Sequence, residues 1–158
     1  MLMSCVHGLL KVTLSRPCLC SNCANVEEST SHYFYDCVTA NRVWMELVQK
    51  INEAGNNCGH GNIGLFLSKD LVLFNFVNNN NIACILRQDI IELIMILKHV
   101  LVKIKYRDNP QYLPTIRFIS LMFCLELEKI LKVREKEEKD IRFVGEVLNL
   151  FNARVGRV

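Results

Sequence analysis

The stretch CSNCANVEESTSHYFYDC, residues 20–37, places three cysteines and one histidine within 18 positions. A segment this short and polar cannot build a hydrophobic core of its own, so it needs a staple. Cysteines offer two kinds, a disulfide or a metal ion. The chain has eight cysteines, an even count that would suit disulfides. Its first residues, MLMSCVHGLLKVTLSRP, make a poor export signal: no Lys or Arg precedes the apolar run, His7 and Gly8 interrupt it, and Lys11 ends it early. An intracellular setting, nuclear or cytoplasmic, is therefore expected. In such a reducing compartment clustered cysteines bind metal more often than each other.

A structural zinc ion takes four nitrogen or sulfur ligands in a tetrahedron. Cys20-x2-Cys23 suits the first pair, because two intervening residues let a tight turn aim both sulfurs at one ion. His32-x4-Cys37 supplies the second pair after an eight-residue loop. The expected ligands of Zn2+ are therefore Cys20, Cys23, His32 and Cys37, with Cys18 a competitor for the place of Cys20. Four protein ligands leave no open coordination position, so the ion would be structural and not catalytic. The bland alternative treats these cysteines as small buried hydrophobes. Cys5, Cys58, Cys84 and Cys124 stand outside the pattern. Cys84 and Cys124 fall in helical runs and are expected in the core. Cys58-Gly-His60 offers two donors, too few for a strong site.

The rest of the chain is 51% hydrophobic and 22% charged overall, a composition for a folded core. The spacing predicts a mainly α protein, a small CCHC zinc-binding module followed by a helical, bundle-like C-terminal region. Residues 1–17 form a lead-in and residues 18–55 the zinc module with its following helix. In that helix Ala40, Val43, Trp44, Leu47, Val48 and Ile51 recur at three and four residues, with Thr39 as its cap and an end near Gly55. Residues 56–81 are a Gly/Asn-rich connector. Its apolar run LFLSKDLVLFNFV suits a short helix or a buried strand equally. Residues 82–158 are helical. The stripe Leu86, Ile90, Leu93, Ile94, Leu97, Val100, Leu101 and Ile104 predicts a long helix over 82–106. Its other side, including Lys98, Lys103 and Lys105, is expected to be solvated. After the turn RDNPQYLP a second long helix over 115–138 should pack antiparallel to the first, its apolar first half central. A short helix carrying Ile141, Val144, Val147, Leu148 and Phe151 closes the chain. Charges at Arg87, Asp89, Glu92, Lys98 and Lys103 exclude a membrane span from the most apolar stretch.

The segment CSNCANVEESTSHYFYDCVTANRVWMEL resembles the zinc-binding region near the C-terminus of reverse transcriptases from non-LTR (LINE-like) retrotransposons. The likeness lies in Cys20-x2-Cys23, the acidic-hydroxyl pair Glu28-Ser29, His32 followed by Tyr33-Phe34, Cys37, and a helix bearing Trp44. It covers about residues 7–50. The resemblance implies a zinc-stabilised nucleic-acid-binding module that helps position RNA or DNA. The aromatic residues make physical sense beside the ligands: Tyr33, Phe34 and Tyr35 can pack over the site, and Trp44 can close the same cluster from the core.

No catalytic machinery accompanies the motif. A polymerase needs paired aspartates for two metal ions. In YFYDC the position after Asp36 is Cys37, which serves the zinc. None of Pro17, Pro110 and Pro114 is followed by the Asp that a neighbouring nuclease would require. The chain is therefore expected to be no enzyme. Lys11, Arg16 and Arg42 flank the cluster and are the candidate nucleic-acid contacts. With a net charge of +3, binding to RNA or DNA would be weak and electrostatic. The alternative is a structural or protein-interaction helical domain, with zinc as its staple and a protein partner on the apolar region 82–131.

Overall fold

The computed structural model describes residues 18, 23, 26, 29–77, 79, 81–105 and 115–155. The expected ligand Cys20, the motif residue Glu28, the basic residues Lys11 and Arg16, and the RDNPQYLP link lie outside the described residues. Among those described, every regular element is helical. A π-helical turn, His32–Asp36, leads into α1 (Val38–Asn57), α2 (Lys69–Phe74), α3 (Cys84–Lys105), α4 (Ile116–Lys136) and α5 (Arg142–Val155). The expected mainly α architecture, a Cys/His module followed by helices, is what the chain adopts.

Each long helix buries the stripe its sequence displays. Ala40, Val43, Trp44, Leu47 and Ile51 of α1 are fully enclosed, as are Ile90, Leu93, Leu97 and Leu101 of α3. α4 contributes Ile119, Phe123 and Leu127, and α5 adds Val144, Val147 and Phe151. The rings of Phe123 and Phe151 meet at 5.1 Å between centroids. α4 is central, packing against α1, α3 and α5, while α5 touches the other three long helices. Cross-helix pairs give the directions. Lys103 pairs with Glu126, and Arg134 with Asp89 and Glu92, so α3 and α4 run antiparallel. Arg154 reaches Glu46 and Asn57 reaches Glu146, which sets α1 antiparallel to α5.

Local chemistry places the helix ends. Ser68 Oγ accepts from the backbone N–H of Leu71 at 3.1 Å, and Thr115 Oγ1 from that of Phe118 at 3.1 Å. The ambiguous run after the connector is thus a short helix, opened by a serine cap and closed by Asn75 in the left-handed region at φ 56°. α1 begins one residue before the expected cap: Cys37 precedes it, and Thr39 is buried in the first turn. The helix also runs past Gly55 to Asn57. Gly55 serves packing and not termination, since a methyl group there would collide with the Ile63 side chain of the connector folded back over it.

Three side chains depart from their expected settings. Cys84, expected in the core, is exposed at the first position of α3. Lys98 and Lys105 leave the solvated face to which their spacing assigns them, and of the three lysines only Lys103 is exposed. Lys98 leans onto the end of α2, where its Nζ donates to Asn75 Oδ1 at 2.8 Å and to the Leu73 carbonyl at 3.3 Å. Period alone cannot foresee a neighbour that packs across the polar face.

Burial pulls the Lys98 ammonium down from 10.5 to about 8. Between those values the folded chain binds fewer protons than the unfolded chain, so stability should rise with pH across that window. The cost of burying the charge is felt in full below about pH 8. Because Lys98 keeps partial access to water, the gain should be only about 1–2 kcal/mol. Urea unfolding at neutral and alkaline pH should show this rise in the parent chain relative to Lys98→Met. An identical pH slope in the two proteins would show that Lys98 is not perturbed.

Candidate metal centre

The π-helical turn explains why His32 and Cys37 meet. Its defining hydrogen bond runs from residue i+5 back to residue i, and here the Cys37 N–H donates to the His32 carbonyl at 2.9 Å. The His-x4-Cys spacing is therefore one π turn, which brings the imidazole and the thiol to the same side. Ser29 starts the turn: its Oγ accepts from the His32 N–H at 3.0 Å, and its carbonyl from the Tyr33 N–H at 2.8 Å. Ser31 Oγ donates to the Asp36 carboxylate, and Lys69 of α2 pairs with the same group at 3.4 Å. The turn is thus tied at both ends and against α2.

The first half of the cluster comes from a folded-back loop. The Cys18 N–H donates to the Val26 carbonyl at 2.8 Å, and the Val26 N–H to the Cys23 carbonyl at 3.1 Å. The donor atoms of Cys18, Cys23, His32 and Cys37 all lie within 4.8 Å of one another, and all four residues are buried. Among the described residues no other group of three or more His, Cys, Asp or Glu converges in this way. Of the expected ligands the structure brings together Cys23, His32 and Cys37. The fourth described donor is Cys18, the competitor for Cys20. Cys18-x4-Cys23 is also a workable ligand spacing, because a pair may be separated by two to four residues.

The sulfur geometry discriminates between staples. Cys23 Sγ lies 3.7 Å and Cys18 Sγ 3.9 Å from Cys37 Sγ. A disulfide would need about 2.05 Å. A tetrahedron with bonds of about 2.3 Å from ion to sulfur has edges of about 3.8 Å. The two observed sulfur separations match that edge length and exclude a disulfide between these pairs. The electrostatics of the ion-free cluster favour one thiolate, on Cys37. The Cys18 thiol donates to the Cys37 sulfur and, with the charge of Lys105, outweighs burial and pushes the Cys37 thiol down to about 4. Burial, reinforced by the Cys37 charge, pushes the Cys23 thiol up. Negative charge thus gathers on Cys37, and a cation between the sulfurs would relieve it.

The surroundings divide the remaining candidates. Arg42 is exposed on α1, one turn past Cys37. Cys58 and His60 join the packing at the start of α5: the His60 ring meets Phe143 edge-on at 6.1 Å, and Cys58 Sγ lies 3.8 Å from the Arg142 carbonyl. Trp44 is fully buried, and its Nε1 donates to the Phe34 carbonyl at 2.6 Å, binding the turn to the bundle. Tyr33 reaches the other way. Its hydroxyl lies 3.3 Å from the Val102 carbonyl and 3.5 Å from that of Leu101, at the last turn of α3. Lys105, which closes that helix, was invisible as a site residue in the sequence, because 67 positions separate it from Cys37.

Fold and site together define an all-helical arrangement, among the described residues, that carries a buried Cys3His cluster shaped for a metal ion. Compared with family models, with curated proteins and with solved structures, the chain gives no match in any of the three.

Proposed function

We propose that the chain is a zinc-stabilised, non-catalytic nucleic-acid-binding module, similar in role to the C-terminal tail of a LINE-like reverse transcriptase without its polymerase or nuclease core. The observation that carries the metal part is the buried group Cys18, Cys23, His32 and Cys37, whose donor atoms lie within 4.8 Å of one another. Three sulfurs and one imidazole are a soft donor set suited to zinc. The nucleic-acid part rests on the sequence resemblance, with exposed Arg42 beside the cluster and Lys11 and Arg16 preceding it.

The first test is metal analysis of the purified chain, expected to give one zinc per molecule. Cys18→Ser should lower the zinc content sharply, while Cys20→Ser should leave it intact. The reverse pattern would assign that place to Cys20. Titration with single-stranded RNA at low salt then tests the partner. Binding should be weak and should weaken further when Lys11, Arg16 and Arg42 are replaced together, the fold being unchanged. Lys103, exposed but paired with Glu126, is the control.

A second reading, a structural or protein-interaction helical domain with zinc as its staple, draws on a different observation. An open groove of about 570 Å³ between α3 and α4 is floored by Ile91, Met95, Ile96 and Ile130. Concentration-dependent self-association in sedimentation, with no RNA binding at low salt, would favour this reading over the first.

A further inference from the structure

A site made of three thiolates, a neutral imidazole and a divalent cation carries a net charge of −1. Holding that charge away from water is costly unless a countercharge stands nearby. Among the described residues, two lysines lie close to the π turn. Lys69 is engaged by the Asp36 carboxylate at 3.4 Å, on the outer side. Lys105 stands on the inner side. Its Nζ donates to the Tyr33 carbonyl at 2.7 Å and sits 4.7 Å above the centroid of the Tyr33 ring. Tyr33 is the residue after His32, and its hydroxyl is held in turn by the carbonyls of Leu101 and Val102. The last turn of α3 and the ligand-bearing turn therefore grip each other through two side chains that are far apart in sequence.

Resting on the metal-centre reading above, we propose that Lys105 is a positioning residue of that centre: its ammonium offsets the excess negative charge of the thiolate cluster while its bond to the Tyr33 carbonyl fixes the turn that presents His32 and Cys37. Both contributions are short-range and specific. The charge acts within a partly dehydrated site, where it is screened less than at the surface. The hydrogen bond acts on the backbone between two ligands, the place where outer-sphere partners orient the donors of a metal site. Coupling of this kind is reciprocal, so metal binding should also firm the end of α3.

The test measures zinc affinity of the full chain by competition with a chromophoric chelator, beside urea unfolding of the metal-free form. Loss of an outer-sphere partner typically weakens metal binding by about 10- to 100-fold. Lys105→Gln, which keeps a donor but loses the charge, and Lys105→Met, which loses both, should each fall in that range, with Lys105→Met the weaker binder. Lys105→Arg should restore affinity to within about threefold of the parent, because it keeps both charge and donors. Metal-free stability should change little across the set. Parent-like zinc affinity in Lys105→Gln and Lys105→Met would overturn the proposal. So would equal weakening in Lys105→Arg and Lys105→Met, or an affinity loss that merely tracks metal-free stability. A parent chain that binds no zinc would instead sink the metal-centre reading itself, and the role of Lys105 with it.

Discussion

Removing the metal, by a strong chelator or by Cys23→Ser, is expected to unfold the ligand-bearing segment while the bundle stays folded. Structural zinc contributes roughly 10–16 kcal/mol of apparent binding free energy in isolated finger peptides, and without it such segments are unfolded. Among the described residues of 18–37 the buried apolar side chains besides the cysteines are Tyr33 and Phe34, so the segment should lose its order with the ion. α1 should persist, because it packs against α4 and α5 as well as against the ligand-bearing turn, and its buried Leu47 and Ile51 lie beyond the cluster in sequence. Hydrogen exchange read by mass spectrometry should show protection lost up to about Cys37 and retained from the second turn of α1 onward. Acidification should act the same way, since protons compete with the ion for the thiolates. Unchanged protection over the segment after complete metal removal would mean that the cluster is only a buried group of cysteines.

Replacing Trp44 by alanine is expected to cost about 3–5 kcal/mol, the range for deleting a fully buried large aromatic. The side chain has no exposed surface, and its N–H is committed to the Phe34 carbonyl at 2.6 Å. Trp44→Phe should recover much of the loss, leaving about 1–3 kcal/mol for a carbonyl deprived of its buried partner. Because that carbonyl lies within the ligand-bearing turn, both variants should also release zinc more readily. Urea unfolding with metal analysis separates this from a base-stacking role. If Trp44 served RNA, Trp44→Ala would lose RNA affinity while remaining as stable as the parent.

Several features could be read directly from the residues. Spacings of three and four fixed the buried stripes of α1 and α3, because a helix turns by a set angle per residue and the core selects one side. The closeness of Cys23, His32 and Cys37 was legible for a similar reason, since one turn of backbone suffices to join the last two. Thr115 also stands where the second long helix was expected to start, and caps it through a bond made within a few positions. What tertiary structure decided was everything that depends on a partner distant in sequence. Lys98 and Lys105 occupy polar positions of α3, yet one is drawn onto α2 and the other onto Tyr33, because neighbours happen to pack over those positions. Gly55 suggests a helix end, but its real demand is the close approach of Ile63. Cys18 stands beside Cys37, a contact across 19 positions that no local spacing announces, because its backbone pairs with Val26. Local periodicity and short turns are written in adjacent residues. Which side chains complete a charged or metal-binding cluster is set only when the chain closes on itself.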